Sequence, residues 1–148
     1  MKIDNASKAD YPALIEIWES SVRATHHFLP EENIKTLKPL ILEHYFDAVD
    51  LRVAKNKPDN IVGFIGVADQ NIEMLFISPN YHNRGIGSLL LKNAIQYQSA
   101  IKVDVNEQNP DAIGFYLHQG FEIVNRSPLD DQGNPFPLLH MELSNIRG

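Results

Sequence analysis

The chain has 148 residues, a length that suits one domain with one sizeable core. Its 43% hydrophobic and 22% charged residues are ordinary for a globular protein, and a net charge of -6 disfavours nucleic-acid binding, which needs a basic face. With no cysteine, there is no disulfide framework, thiol nucleophile or cysteine-based metal site. The first twelve residues lack an apolar signal core and no run reaches the length of a membrane span, so a cytoplasmic enzyme or binding module without membrane partners is expected. The acidic balance is compatible with a cationic substrate.

Lys2 to Asn5 reads as a short strand. Ser7 or Asp10 then caps a helix that tolerates Pro12 in its first turn and buries Leu14, Ile17, Trp18 and Val22. The stretch Thr25–Pro30 reads as a loop. A second helix from Glu31 towards Phe46 turns Ile34, Leu37, Ile41 and Tyr45 inward, and Pro39 predicts a kink or two short helices. Leu51–Lys55 and Ile61–Ala68 flank the turn-forming residues 56–60 and predict an antiparallel hairpin. Asp69-Gln70 leads into a strand over Asn71–Ile77. Next comes a loop ending in Arg84-Gly85-Ile86-Gly87, then a helix carrying Ile86, Leu89, Leu90, Ala94 and Tyr97. Ile101–Val105 alternates like a strand. Asn109-Pro110-Asp111 combines a cap, a first-turn proline and a first-turn acid, and Gly120 stops that helix with Phe121 packing back. Phe121–Ser127 and Leu138–Leu143 are closing strands. The order predicts a mixed sheet flanked by helices, an α+β or α/β arrangement in a single domain over 1–148.

Strand, glycine loop and helix start at Asn71–Ser99 make a physical anion site. Glycine lets backbone approach a ligand, and the first helical N–H groups point outward with the positive end of the helix dipole. An ATP or GTP loop needs GxxxxGK[ST], which is absent. A dinucleotide fingerprint needs a third glycine, and Leu90 stands there.

The remaining reading uses more of the chain. Leu75-Phe76-Ile77, the break at Ser78-Pro79, and His82-Asn83-Arg84-Gly85-Ile86-Gly87 resemble the central motif of the GNAT family of N-acetyltransferases. So does the later set of Asn109-Pro110-Asp111-Ala112, Phe115-Tyr116 and Gly120-Phe121. The element order fits from end to end. His82 departs from the family's usual Gln or Arg. The stretches Thr25–Leu29 and Asp130–Leu139 also resemble a small bacterial subgroup, some of whose members are protein-lysine acetyltransferases.

The resemblance implies a central, mostly antiparallel sheet of about seven strands in which a splayed strand pair forms the acetyl-CoA cleft. It implies acetyl-CoA as cosubstrate and direct attack by a primary amine: a protein lysine, an N-terminus or a small amine. A non-catalytic CoA-binding module on the same fold is the alternative, and a monomer or homodimer fits either. Backbone of Leu75, Phe76 and Ile77 would hold the pantetheine arm. Asn83, Arg84, Gly85, Ile86, Gly87 and Ser88 would hold the pyrophosphate and 3′-phosphate, and Asn109 would touch the cofactor amide. Tyr116 would protonate the leaving thiolate; a phenol near pKa 10 is a chemically sensible donor.

An ammonium of pKa ~10.4 must lose a proton before it attacks, so a base is needed. Glu73, placed by strand alternation on the face of Leu75, Asp104 in the fifth strand, and His26 beside His27 in the first loop are the candidates. The histidines are scattered without HxxxH spacing, so no metal is expected.

Overall fold

The computed structural model describes residues 1–25 and 29–144. Seven strands build one sheet: β1 (Lys2–Asn5), β2 (Asp50–Lys57), β3 (Asn60–Ala68), β4 (Asn71–Ile77), β5 (Lys102–Asn106), β6 (Phe121–Ser127) and β7 (Leu138–Leu143). Their spatial order is β1-β2-β3-β4-β5-β7-β6, antiparallel everywhere except between β4 and β5. The helices are α1 (Tyr11–Thr25), α2 (Glu31–Leu40), α3 (Ile86–Tyr97) and α4 (Pro110–His118). Among the described residues, no helix is long and apolar enough to cross a membrane.

Strand alternation divides the core in two. Val53, Phe64 and Met74 pack with Leu14, Trp18, Ile34 and Phe46 under α1 and α2. Their strand neighbours Ala54 and Ile65, with Val103, Val105 and Met141, pack against Ile86, Leu90, Leu91, Tyr116 and Phe121 under α3 and α4.

Within the described residues the expected strands and helices are all present, with local differences; of the loop expected over Thr25–Pro30, Thr25 ends α1 and residues 26–28 lie outside the described residues. The β2–β3 turn is only Pro58-Asp59, because the ladder continues to the Lys57–Asn60 pair. Pro39 sits inside α2, and the chain absorbs it by widening into a π turn over Ile41–Tyr45 and then a 3-10 turn over Phe46–Ala48. That widening shifts the face: Phe46 is fully buried, and Tyr45, expected inward, is exposed. On α3 the buried stripe is Ile86, Leu90, Leu91 and Ala94, while Leu89 and Tyr97 face solvent. Asp69 and Gln70 both take positive φ, the left-handed pair that a tight β3–β4 hairpin requires.

Two irregularities shape the centre of the sheet. β4 and β5 pair only at Asn71–Lys102 and Ile72–Val103, after which they diverge. The β3–β4 register also slips: Gly66 opposes Met74 and Val67 opposes Ile72, which leaves Glu73 as the extra residue of a bulge.

Candidate active site

Beyond Ile72, the β5-facing edge of β4 is unpaired with β5. The Ser78 N–H donates to Val62 O at 2.8 Å, which fixes the phase of the β3–β4 ladder. Phe76, opposite Phe64, therefore exchanges its backbone bonds with β3, and the backbone groups of Leu75 and Ile77 point into the gap. The side chains of Leu75 and Ile77 pack on the α3/α4 core, that of Phe76 on the other.

The gap runs into the loop before α3. Gly85 caps α3 at φ 79°, and a Cβ there would meet nothing within 4 Å, so backbone conformation alone calls for glycine. Asn83 also has positive φ, at 62°. The first helical bond is Leu89 N–H to Gly85 O at 3.0 Å, so the N–H groups of Ile86, Gly87 and Ser88 precede the ladder and point out of the helix end. Ile86 itself is buried and anchors the loop to the core. The exposed Arg84 guanidinium lies 5.3 Å above the Tyr81 ring. These features fit a diphosphate: an unpaired amide fan, a positive helix end and an arginine beside it. His82, in place of the family's Gln or Arg, bonds through Nε2 to Ile77 O at 2.9 Å and braces the loop against the end of β4. Ser88 ties α3 to the end of α4 through the Gln119 side chain at 3.2 Å.

Asn109 caps α4, its Oδ1 accepting the Ala112 N–H at 3.2 Å. Tyr116 is 6% exposed, wedged edge-on between Phe115 and Phe121 at 5.1 and 5.5 Å between ring centroids. Burial pushes its phenol far above the usual range, so the group keeps its proton at any physiological pH.

On the other face, β4 and β5 wall a cleft of about 250 Å³. Glu73 and Asp104 line it with Asp130 and Asp131 from the β6–β7 loop, against the apolar side chains Leu37 and Phe136. This corrects the alternation argument for Glu73. The bulge cancels one step of alternation, so Ile72 joins the α3/α4 core, Met74 the α1/α2 core, and Glu73 turns away from Leu75 into the cleft. The cleft walls strip water from the Glu73 carboxyl and raise its pKa, and the negative charges of Asp104, Asp131 and Asp69 push the same way against a hydrogen bond from Asn71. Asp130 is largely committed to its own loop, accepting the N–H groups of Gln132 at 3.0 Å and Asn134 at 2.8 Å.

Glu73 and Asp104 thus come together, while Tyr116 lies on the opposite side of the β4–β5 opening. His26, with His27, lies outside the described residues. The sequence reading did not single out Asp131, His140 or Ser127. The signal for His140 was its alternation within Leu138–Leu143, which puts it on the face opposite the buried Leu139 and Met141. Among the described residues, no group of three or more His, Asp or Glu side chains is placed to hold a metal ion.

A split sheet, an anion-ready helix start and a tyrosine helix define an acyl-transfer fold. The profile of the acetyltransferase (GNAT) domain matches residues 43–123, and the chain belongs to the GNAT family. It is 39% identical to the peptidyl-lysine N-acetyltransferase YjaB of Escherichia coli K12, over 86% of each chain. The solution structure of apo-form YjaB from E. coli superposes with a TM-score of 0.88 at 36% identity, covering 97% of both chains. The fold also matches PaiA N-acetyltransferase of Thermoplasma acidophilum, solved in complex with coenzyme A, with a TM-score of 0.72 at 19% identity over 97% of this chain and 99% of that one. The protein is accordingly an N-acetyltransferase, and the non-catalytic alternative is not favoured.

Proposed function

We propose that this enzyme, working as one domain in the cytoplasm, moves the acetyl group of acetyl-CoA to the side-chain amine of a protein lysine by direct attack. One observation carries the acceptor assignment: the cleft beside the β4–β5 opening combines acids, Glu73, Asp104 and Asp131, with apolar walls from Leu37 and Phe136. A lysine presents the matching features, an ammonium on a four-carbon apolar stem. The name of the YjaB relative, a peptidyl-lysine N-acetyltransferase, supports the same choice.

Acetyl-CoA supplies an activated acetyl thioester, and the protein supplies placement and proton handling. The outward backbone groups of Leu75 and the Ile77 N–H hold the pantetheine arm in the manner of an added strand, the Ile77 carbonyl being held by His82, and an N–H of this segment polarises the thioester carbonyl. The amides from Asn83 to Ser88 cradle the pyrophosphate, with Arg84 near the 3′-phosphate. Phe76 contributes through packing, since its backbone is turned to β3. Asn109 fixes the start of α4 and so the position of Tyr116. Glu73, with its raised pKa, takes the ammonium proton before attack; Tyr116 gives a proton to the departing thiolate and regains the one the nitrogen sheds as the amide forms, so the buried phenol is not left ionised. Holding both reactants across one opening provides the proximity term.

The test is an acceptor panel with release of free thiol as readout: lysine peptides with blocked N-termini, peptides with only a free N-terminus, and polyamines. Lysine peptides are expected to give the highest kcat/KM with Nε-acetyl product. Transfer confined to N-termini or polyamines would refute the lysine assignment.

A further inference from the structure

Three side chains on adjacent strands form a continuous hydrogen-bonded chain. Asp104 on β5 stands opposite His140 on β7, and His140 Nδ1 lies 2.6 Å from Asp104 Oδ1. The other ring nitrogen, Nε2, lies 2.6 Å from Ser127 Oγ at the end of β6. A carboxylate can only accept, so Nδ1–H donates to Asp104, and Nε2 is left to pair with the Ser127 hydroxyl. Asp104 lines the acidic cleft, whereas His140 and Ser127 stand behind it.

We propose that Asp104 is the anionic anchor for the acceptor's ammonium group, and that His140, locked by Ser127, is the positioning residue that keeps it turned to the cleft. The inference rests on the amine-acceptor reading above. Asp104 shares the cleft with Glu73 and Asp131, and its negative charge is felt at Glu73; like charges so placed favour rotation of the Asp104 side chain away from its neighbours unless something holds it. The short Nδ1–H bond opposes that rotation. The ring in turn cannot tilt without breaking its bond to Ser127. An incoming ammonium therefore meets a fixed anion at Asp104 and a separate proton acceptor at Glu73, so anchoring and deprotonation fall to different carboxylates.

The experiment is steady-state acetyl transfer to a lysine peptide by the full chain and its variants, varying each substrate in turn. His140→Ala is expected to raise the acceptor KM roughly tenfold while the acetyl-CoA KM stays within about twofold. Asp104→Asn should give the same split. His140→Asn, whose amide can replace the Nδ1–H donor, should recover most of the loss. An unchanged acceptor KM in His140→Ala, or a parallel rise in both KM values with a lower Tm, would overturn the proposal in favour of a purely structural histidine. Nitrogen NMR of His140 in the unmodified protein provides a readout independent of turnover: a proton on Nδ1 supports the chain, and one on Nε2 alone overturns it. Absence of transfer to any amine by the unmodified enzyme would instead refute the acceptor reading itself, and the anchor with it.

Discussion

The two sides of the β4–β5 opening are built differently. On the α3/α4 side, the cofactor features come from two contiguous stretches, 75–88 and 109–121, and the side chains behind them are buried and apolar. On the α1/α2 side, the cleft draws Glu73 from a bulge, Asp104 from β5 and Asp131 from a distant loop, and its chemistry is that of crowded negative charge. The first side works by backbone placement and the second by side-chain electrostatics. Substitutions on the two sides are therefore expected to separate in kinetics, pH response and stability.

The largest effect is expected at Tyr116. Tyr116→Phe should lower kcat roughly 10²-fold or more, with acetyl-CoA affinity nearly unchanged; pre-steady-state kinetics and cofactor titration would check it. Among the described residues the hydroxyl has no hydrogen-bond partner, so the variant should fold as well as the parent. An unchanged kcat would remove Tyr116 from proton transfer.

Glu73→Gln should cost about 10- to 100-fold in kcat at neutral pH, with the deficit shrinking as pH approaches the lysine value of ~10.4 and the amine arrives already neutral. A pH-independent deficit would argue against a base. The same residue gives a stability test with a definite sign. Its folded pKa is raised, so its contribution to stability is fully present below the unfolded carboxyl value and is lost as pH rises through the folded one. Denaturation of Glu73→Gln at neutral pH should show stability equal to or above that of the parent.

Gly85→Ala tests the other side. It introduces no clash, so the cost is that of a left-handed backbone, about 1 kcal/mol, read as a small drop in Tm with several-fold weaker acetyl-CoA binding. The smallest expected effect is alkaline. Tyr116 has a raised pKa, so its contribution is intact below the unfolded phenol value near 10 and falls away above it; Tyr116→Phe should flatten that part of the stability profile.

The same contrast explains what was legible in the sequence. Asn109-Pro110-Asp111, Gly120 and the Gly85 loop are local signals, readable because capping, φ and helix starts depend on a few adjacent residues. Glu73 was found as a candidate but placed on the wrong face, because a bulge depends on the partner strand and leaves strict alternation intact in the sequence. The exchange of Tyr45 for Phe46 had the same origin: a π turn after Pro39 adds a residue that helical periodicity does not count. His140 was missed because its significance lies in the β5–β7 register, which pairs residues 36 apart. His82 was visible as a departure, and only the fold revealed its bond to the end of β4.

The division of labour across the opening is tested most directly by mapping backbone amide shifts as acetyl-CoA and a lysine peptide are added separately. Acetyl-CoA is expected to perturb Leu75, Ile77, Asn83 to Ser88 and Asn109, and the peptide Glu73, Asp104 and Asp131. Both ligands perturbing the same set, or acetyl-CoA acting first on the acidic cleft, would contradict it.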